Sequence, residues 1–260
     1  MLNEKIMSLE ELDHELDRLE AVQACRNLMG KYAFYHTAFR NIEYVNMWAR
    51  REDTYYMFPF GEYFGWDGVE ECYVSGGHGD RSVLVATGGL NGSVMFHEMD
   101  TECIEVADDC QTAKGVWMCP GHETHGDGDA QWCWGCYEVE FIKEDGVWKI
   151  WHMTLAPIFK QSYYDSWAGT ASLPLPAGKE KAAAGGPPPG APGGPGGPGG
   201  PGGPGGPGDE PAPGGRGGGL RMNGNLSIYS YGPDAVRDPH SPEPPVPYAD
   251  VAHMPHPIHP

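Results

Sequence analysis

No run of about 18 apolar residues occurs anywhere in the 260-residue chain, so no segment predicts a membrane-spanning helix. Basic residues are scarce: 17 Lys and Arg stand against 36 Asp and Glu, a formal charge of −19. Nucleic acid and anionic membrane surfaces both require a basic patch, so neither is expected as a partner. The sequence has no glycine-rich phosphate loop followed by Lys-Ser/Thr, no GxSxG, and no dinucleotide fingerprint set between a strand and a helix. An apolar secretory leader is not expected either, because MLNEKIMSLEELDHEL is charged from its first residues. With an odd number of cysteines, seven, the expectation is reduced thiols and a cytoplasmic protein, not a disulfide framework.

What is present is unevenly distributed. Thirty of the 35 residues from Gly185 to Gly219 are Gly or Pro, a composition with no apolar side chains to offset the entropy of ordering. The first 170 residues hold every Trp, Cys and Phe, enough for one domain with a real core. The division expected is a domain over 1–170, a flexible linker over 171–225 and a C-terminal docking tail over 226–260. The tail is assigned to docking because LSIYSY (226–231) and Tyr248 are poor choices for a segment meant only to stay in water. Its expected seat is a folded domain, in the first place that of a neighbouring subunit.

Ser8-Leu9-Glu10-Glu11 has the form of a capping box, and Leu9, Leu12, Leu16 and Leu19 follow at helical spacing. The helix is expected to run through Tyr32 and His36 to about Asn41, with a second over Asn41–Arg51 turning Tyr44, Val45 and Trp48 inward. Strands are expected at Tyr55–Phe60, Ser93–Val106 and Thr112–Met118, with a glycine-rich loop over Gly76–Gly92 and a polar loop over Cys119–Asp129. The stretch WCWGCYEVEFIKEDGVWKIWH (132–152) predicts a hairpin about Asp145-Gly146, a dipeptide that accepts positive φ. A two-residue turn there pairs Lys143 with Trp148, Phe141 with Ile150, Val139 with His152 and Tyr137 with Thr154. Alternation then places His152 on the apolar face with Tyr137, Val139 and Phe141. Helices first and antiparallel strands after them make an α+β arrangement.

This order resembles the SnoaL-like branch of the NTF2-like superfamily. The residues carrying it are Tyr32 in GKY, Trp48, Gly61-Glu62 with Gly65-x-Asp67-Gly68-Val69, His97, Trp117, and Trp132 to His152. The resemblance spans about residues 8–165 and implies a cone, a curved antiparallel sheet packed on N-terminal helices, with a pocket at one end. It also implies a cofactor-independent homo-oligomer, dimer or trimer. Within that branch the chain is most similar to the bile-acid 7α-dehydratase type, which works with a Tyr, an Asp and a His. Tyr32 and His97 match the first and last; where the aspartate is expected stands Thr37, with His36 beside it.

The expected function is therefore a lyase, a dehydratase or a related elimination, acting on a hydrophobic ring-containing small molecule. The alternatives are a non-catalytic binding module, or an isomerase or cyclase using the same pocket. The candidate catalytic set is Tyr32, His36, His97 and His152, since a phenol and imidazoles can hold an oxygen and move a proton without metal. Tyr32 and His36, four apart, share a helical face. His97 faces inward if a bulge near Asp100 reconciles Met95 and Met99 with Ile104 and Val106. Tyr35, Trp48, Tyr56, Phe58, Trp117, Trp134 and Tyr137 are expected to wall the pocket. Cys119, His122 and His125 provide three zinc-type donors but not the usual four, so no metal is expected. Cys133 and Cys136 lie three apart on a strand and point oppositely, which argues against redox work.

Overall fold

The computed structural model describes residues 6–58, 61–75, 79–125, 130–168 and 245–249. The linker and most of the tail lie outside the described residues. Helix α1 spans Leu9–Thr37, opened by the capping box, in which Ser8 accepts from the Glu11 amide and the Glu11 carboxylate accepts from the Ser8 amide. Its buried stripe is Ala21, Cys25, Met29, Tyr32 and His36, at spacings of three and four. The leucines of the first turns do not share it: Leu9, Leu12, Leu16 and Leu19 are exposed, while the contacts of that end run through His14 and Arg18 to Asp108. The second helix is shorter than expected. α2 covers only Asn41–Val45, yet Tyr44, Val45 and Trp48 are buried as expected, Trp48 by bridging to Ile150.

Strands β1 (Tyr55–Phe58) and β2 (Gly61–Phe64) form an antiparallel pair, followed by α3 (Gly65–Glu70) and a π-helical turn, Glu71–Ser75. The span expected to be a glycine-rich loop contains a short helix, α4 (Arg81–Ala86), which Asp80 caps by accepting from the Ser82 and Val83 amides. The remaining strands are β3 (Ser93–His97), β4 (Asp100–Val106), β5 (Thr112–His125), β6 (Gln131–Glu144) and β7 (Val147–Ser162). The sheet order is β2-β1-β7-β6-β5-β3; β4 pairs with the first half of β5 and β3 with the second half. One pair is parallel, β1 with β7. The expected single strand over Ser93–Val106 is thus broken in two, with a register shift between Asp100 and Cys103 and Thr101 at φ 52°.

The sheet curves over α1 and buries an aromatic cluster against it. Tyr32, Tyr44, Trp48, Tyr73 and Tyr137 are almost fully buried and meet ring to ring, Tyr44 lying 4.7 Å from Tyr32 and 4.5 Å from Tyr73. Each such side chain contributes on the order of 2–3 kcal/mol through burial alone. The β6–β7 turn has Asp145 and Gly146 at positive φ, as the dipeptide demands. Its first pairs, Lys143 with Trp148 and Phe141 with Ile150, are those expected. Then Glu140, not Val139, pairs with His152, because Trp151 is an extra residue in β7. From that bulge to Gly135 the pairings expected from simple counting are displaced by one: Val139 meets Met153 and Tyr137 meets Leu155.

Candidate functional site

His97 ends β3 opposite Gly121 of β5 and is 7% exposed. A Cβ on Gly121 would stand 2.9 Å from His97 Cδ2 and 2.4 Å from the Cys133 carbonyl oxygen, so only glycine leaves the imidazole its place. Two residues further along β5, on the same face, Glu123 brings Oε1 to 2.9 Å from His97 Nε2. Its other oxygen, Oε2, accepts from Lys160 Nζ of β7 at 2.5 Å. A carboxylate oxygen facing an imidazole nitrogen makes that nitrogen the donor, which assigns the proton to Nε2 and leaves a lone pair on Nδ1. Nδ1 is buried and has no hydrogen-bond partner among the described residues.

The His36 ring lies 5.0 Å from that of His97 and stacks on Tyr32 at 5.3 Å. The Tyr32 and Tyr137 hydroxyls are 2.7 Å apart and hydrogen-bonded. Burial holds both phenols far above their ordinary pKa, so each is a neutral donor throughout the accessible pH range. Burial likewise raises the Cys119 and Cys133 thiols. The inner face of the sheet therefore carries, from β3 to α1, a carboxylate-backed imidazole with an open nitrogen, a second imidazole, and two coupled hydroxyls.

Three of the four expected catalytic side chains come together here: Tyr32, His36 and His97. His152 does not. The Trp151 bulge turns it to the outer face, where Nδ1 lies 2.6 Å from Glu140 Oε2 and Nε2 lies 2.9 Å from the Asp53 carbonyl oxygen. Tyr55 and Trp151 sandwich its ring at 4.4 and 3.9 Å. Of the expected pocket walls, Trp48, Tyr56, Trp117 and Tyr137 are buried in the inner cluster, and Phe58 stacks on Tyr56 at 5.2 Å. Tyr35 is half-buried beneath the Arg40 guanidinium, 4.9 Å from its ring. Trp134 is corrected to the outer face: it pairs with Phe159, stacks on it at 5.5 Å, and is 36% exposed.

Glu123, Lys160 and Cys133 were not among the expected site residues. The sequence predicts a polar loop around Glu123, whereas β5 continues through it to His125. Extending the alternation from Trp117 through Cys119 and Gly121 would have put Glu123 inward; nothing local distinguishes Lys160. The same alternation separates Cys119, inside, from His122, whose ring packs on Trp132 of the outer face at 4.8 Å. Those two cannot ligate one ion.

The family model described as the SnoaL-like domain matches residues 17–154. No curated protein matches the chain. Among solved structures, hexachlorocyclohexane dehydrochlorinase LinA-type3 from Novosphingobium barchaimii LL02 is similar at 16% identity and TM-score 0.46, over 62% of this chain and 99% of that one. A protein provisionally named a scytalone dehydratase from Novosphingobium aromaticivorans DSM 12444 is similar at 16% identity and TM-score 0.45, over 60% and 93%. An NTF2-like protein with a cystatin-like fold from Novosphingobium aromaticivorans is similar at 16% identity and TM-score 0.43, over 58% and 90%.

Proposed function

The chain belongs to the SnoaL-like domain family, and from that premise we propose that it is a cofactor-independent lyase that eliminates water, or a comparable leaving group, from a hydrophobic ring-containing small molecule. The observation that carries this reading is the His97–Glu123 pair with an unpartnered, buried Nδ1 on the inner face. A base of this kind takes a proton from carbon at Nδ1, and the imidazolium that forms is stabilised by Glu123 through Nε2–H. As the C–H electron pair becomes the C=C bond, the C–O bond breaks. The departing hydroxyl, hydrogen-bonded by the one O–H that the Tyr32–Tyr137 pair has free, leaves as water once it takes up a proton, and His36 lies between the two ends to pass one. Lys160 offsets the charge of Glu123, so the carboxylate is not left buried and uncompensated.

Within the family, the bile-acid 7α-dehydratase type is the proposed parallel, with Glu123 of β5 supplying the carboxylate that helix α1 lacks at Thr37. The buried aromatic cluster beside these groups, Trp48, Tyr56, Trp117 and Tyr137, supports a flat apolar substrate held by few polar groups. The test is turnover of a panel of steroid, polyketide and lignin-type alcohols by the full chain, set beside thermal shift with the same compounds. Product with loss of water supports the lyase; thermal shift without product would replace it with a binding module.

A further inference from the structure

Gly121 pairs with His97 on one side and with Cys133 on the other, so β3, β5 and β6 bring these positions to one level of the inner face. Glu123 rises between them. One donor atom from each of His97, Glu123 and Cys133 lies within 4.8 Å of the other two, and His97 and Glu123 are buried. An imidazole nitrogen, a carboxylate oxygen and a thiol sulfur form a donor mixture suited to borderline-soft divalent ions; magnesium and calcium prefer oxygen alone. In tetrahedral zinc, with Zn–N and Zn–O of about 2.0–2.1 Å and Zn–S of about 2.3 Å, donors stand about 3.3–3.6 Å apart. The 2.9 Å contact of His97 with Glu123 opens by a few tenths of an ångström, and side-chain rotation closes the rest.

We propose that this cluster is a site for a zinc-type divalent ion, with His97 Nε2, Glu123 Oε1 and Cys133 Sγ as ligands and a fourth position for water. The Cys133 thiol releases its proton on binding, and His97 keeps its one ring proton. Lys160 remains on Glu123 Oε2, where its ammonium opposes the incoming cation and keeps the site weak. Metal at Nε2 moves the remaining ring proton to Nδ1, turning the bare nitrogen into a donor. On the elimination reading, the bound ion is thus an inhibitor; the binding itself does not depend on that reading.

Titration of the full-length reduced protein with Co²⁺ tests this directly. One equivalent should bind with tetrahedral visible bands and an intense near-ultraviolet thiolate-to-cobalt band. Cys133→Ser should abolish the near-ultraviolet band, Cys119→Ser should keep it, and Lys160→Met should tighten binding at least tenfold by removing the opposing charge. A band that survives Cys133→Ser, or no band at one equivalent, overturns the proposal. Should Cys133→Ser fail to fold, His97→Asn decides: at least tenfold weaker binding supports the site and unchanged affinity overturns it. Absence of turnover on the substrate panel with the cobalt band intact would remove the elimination reading alone.

Discussion

Two glutamates on opposite faces of one sheet each join a histidine to a lysine. Inside, Glu123 holds His97 and Lys160; outside, Glu140 holds His152 at 2.6 Å and Lys114 at 3.3 Å. The difference is the second ring nitrogen. His152 spends its own on the Asp53 carbonyl, while His97 Nδ1 has no partner among the described residues. Outside, the network is also closed by the C-terminal segment: Tyr248 donates to Glu140 Oε1 at 2.9 Å, and Lys114 lies 3.7 Å over its ring. A histidine with both nitrogens engaged is a structural element. One held by a carboxylate and open on the other side is equipped for chemistry. Burial does not separate them, since both are nearly inaccessible.

The sharpest test exchanges the two losses. His97→Ala should lower kcat by about 10²–10⁴-fold, the usual worth of a positioned base, with little change in urea stability. His152→Ala should leave kcat per folded molecule intact and cost about 1–3 kcal/mol, because Glu140 loses its closest partner while keeping Lys114 and Tyr248. If the inner variant lost stability and the outer one lost turnover, the comparison would be inverted. The next effect is smaller: Glu123→Gln keeps the shape but weakens support of the imidazolium, and kcat should fall about 10–100-fold. Glu140→Gln, its outer counterpart, should leave kcat unchanged.

Acid should weaken the outer face. Burial pushes the Glu140 carboxyl up, but His152, Lys114 and Tyr248 outweigh burial and hold it below its ordinary value of 4.5. A depressed folded pKa contributes stability that is present above the unfolded value and lost as pH falls through the folded one. Unfolding free energy should therefore drop as pH is lowered below 4.5, and Glu140→Gln should flatten that limb. Asp53 adds to the same limb. Burial raises it, and the Arg51 ion pair and the Trp151 indole N–H together lower it further than burial raises it. The smallest effect belongs to Tyr248→Phe: loss of one partly buried hydrogen bond to a charged group, about 1–2 kcal/mol in urea unfolding and nothing in kcat. A larger loss would give the tail segment a greater share in the fold than its contacts indicate.

Much of this was legible from local pattern. The capping box, the inward face of Tyr32 and His36, and the tight turn at Asp145-Gly146 all follow from spacing or backbone preference. The bulge expected near Asp100 is present, and His97 faces inward as it requires. The leucines of α1 misled, because amphipathic spacing marks a face able to be buried and cannot say whether anything covers it. Tyr248 was expected to dock on a neighbouring subunit; in the described segment it contacts this chain's own domain.

The sequence by itself determined what depends on neighbours a few residues apart: helix starts, turn conformation, alternation within an unbroken strand, and a strongly acidic composition that disfavours nucleic acid. Tertiary structure alone decided that His152 does not join Tyr32. The cause is one extra residue at Trp151. With period-two alternation, a single inserted position reverses the face of every residue beyond it, and only the competing demands of both sides settle where it goes. Ile150 and Met153 are needed in the core, Trp151 packs with Ala49 and Ile142 outside, and His152 goes with them. Glu123 reaches His97 for the complementary reason. β5 runs unbroken past Cys119 because β3 and β6 take up its backbone groups on either side, a pairing between segments far apart in the chain that no local pattern records.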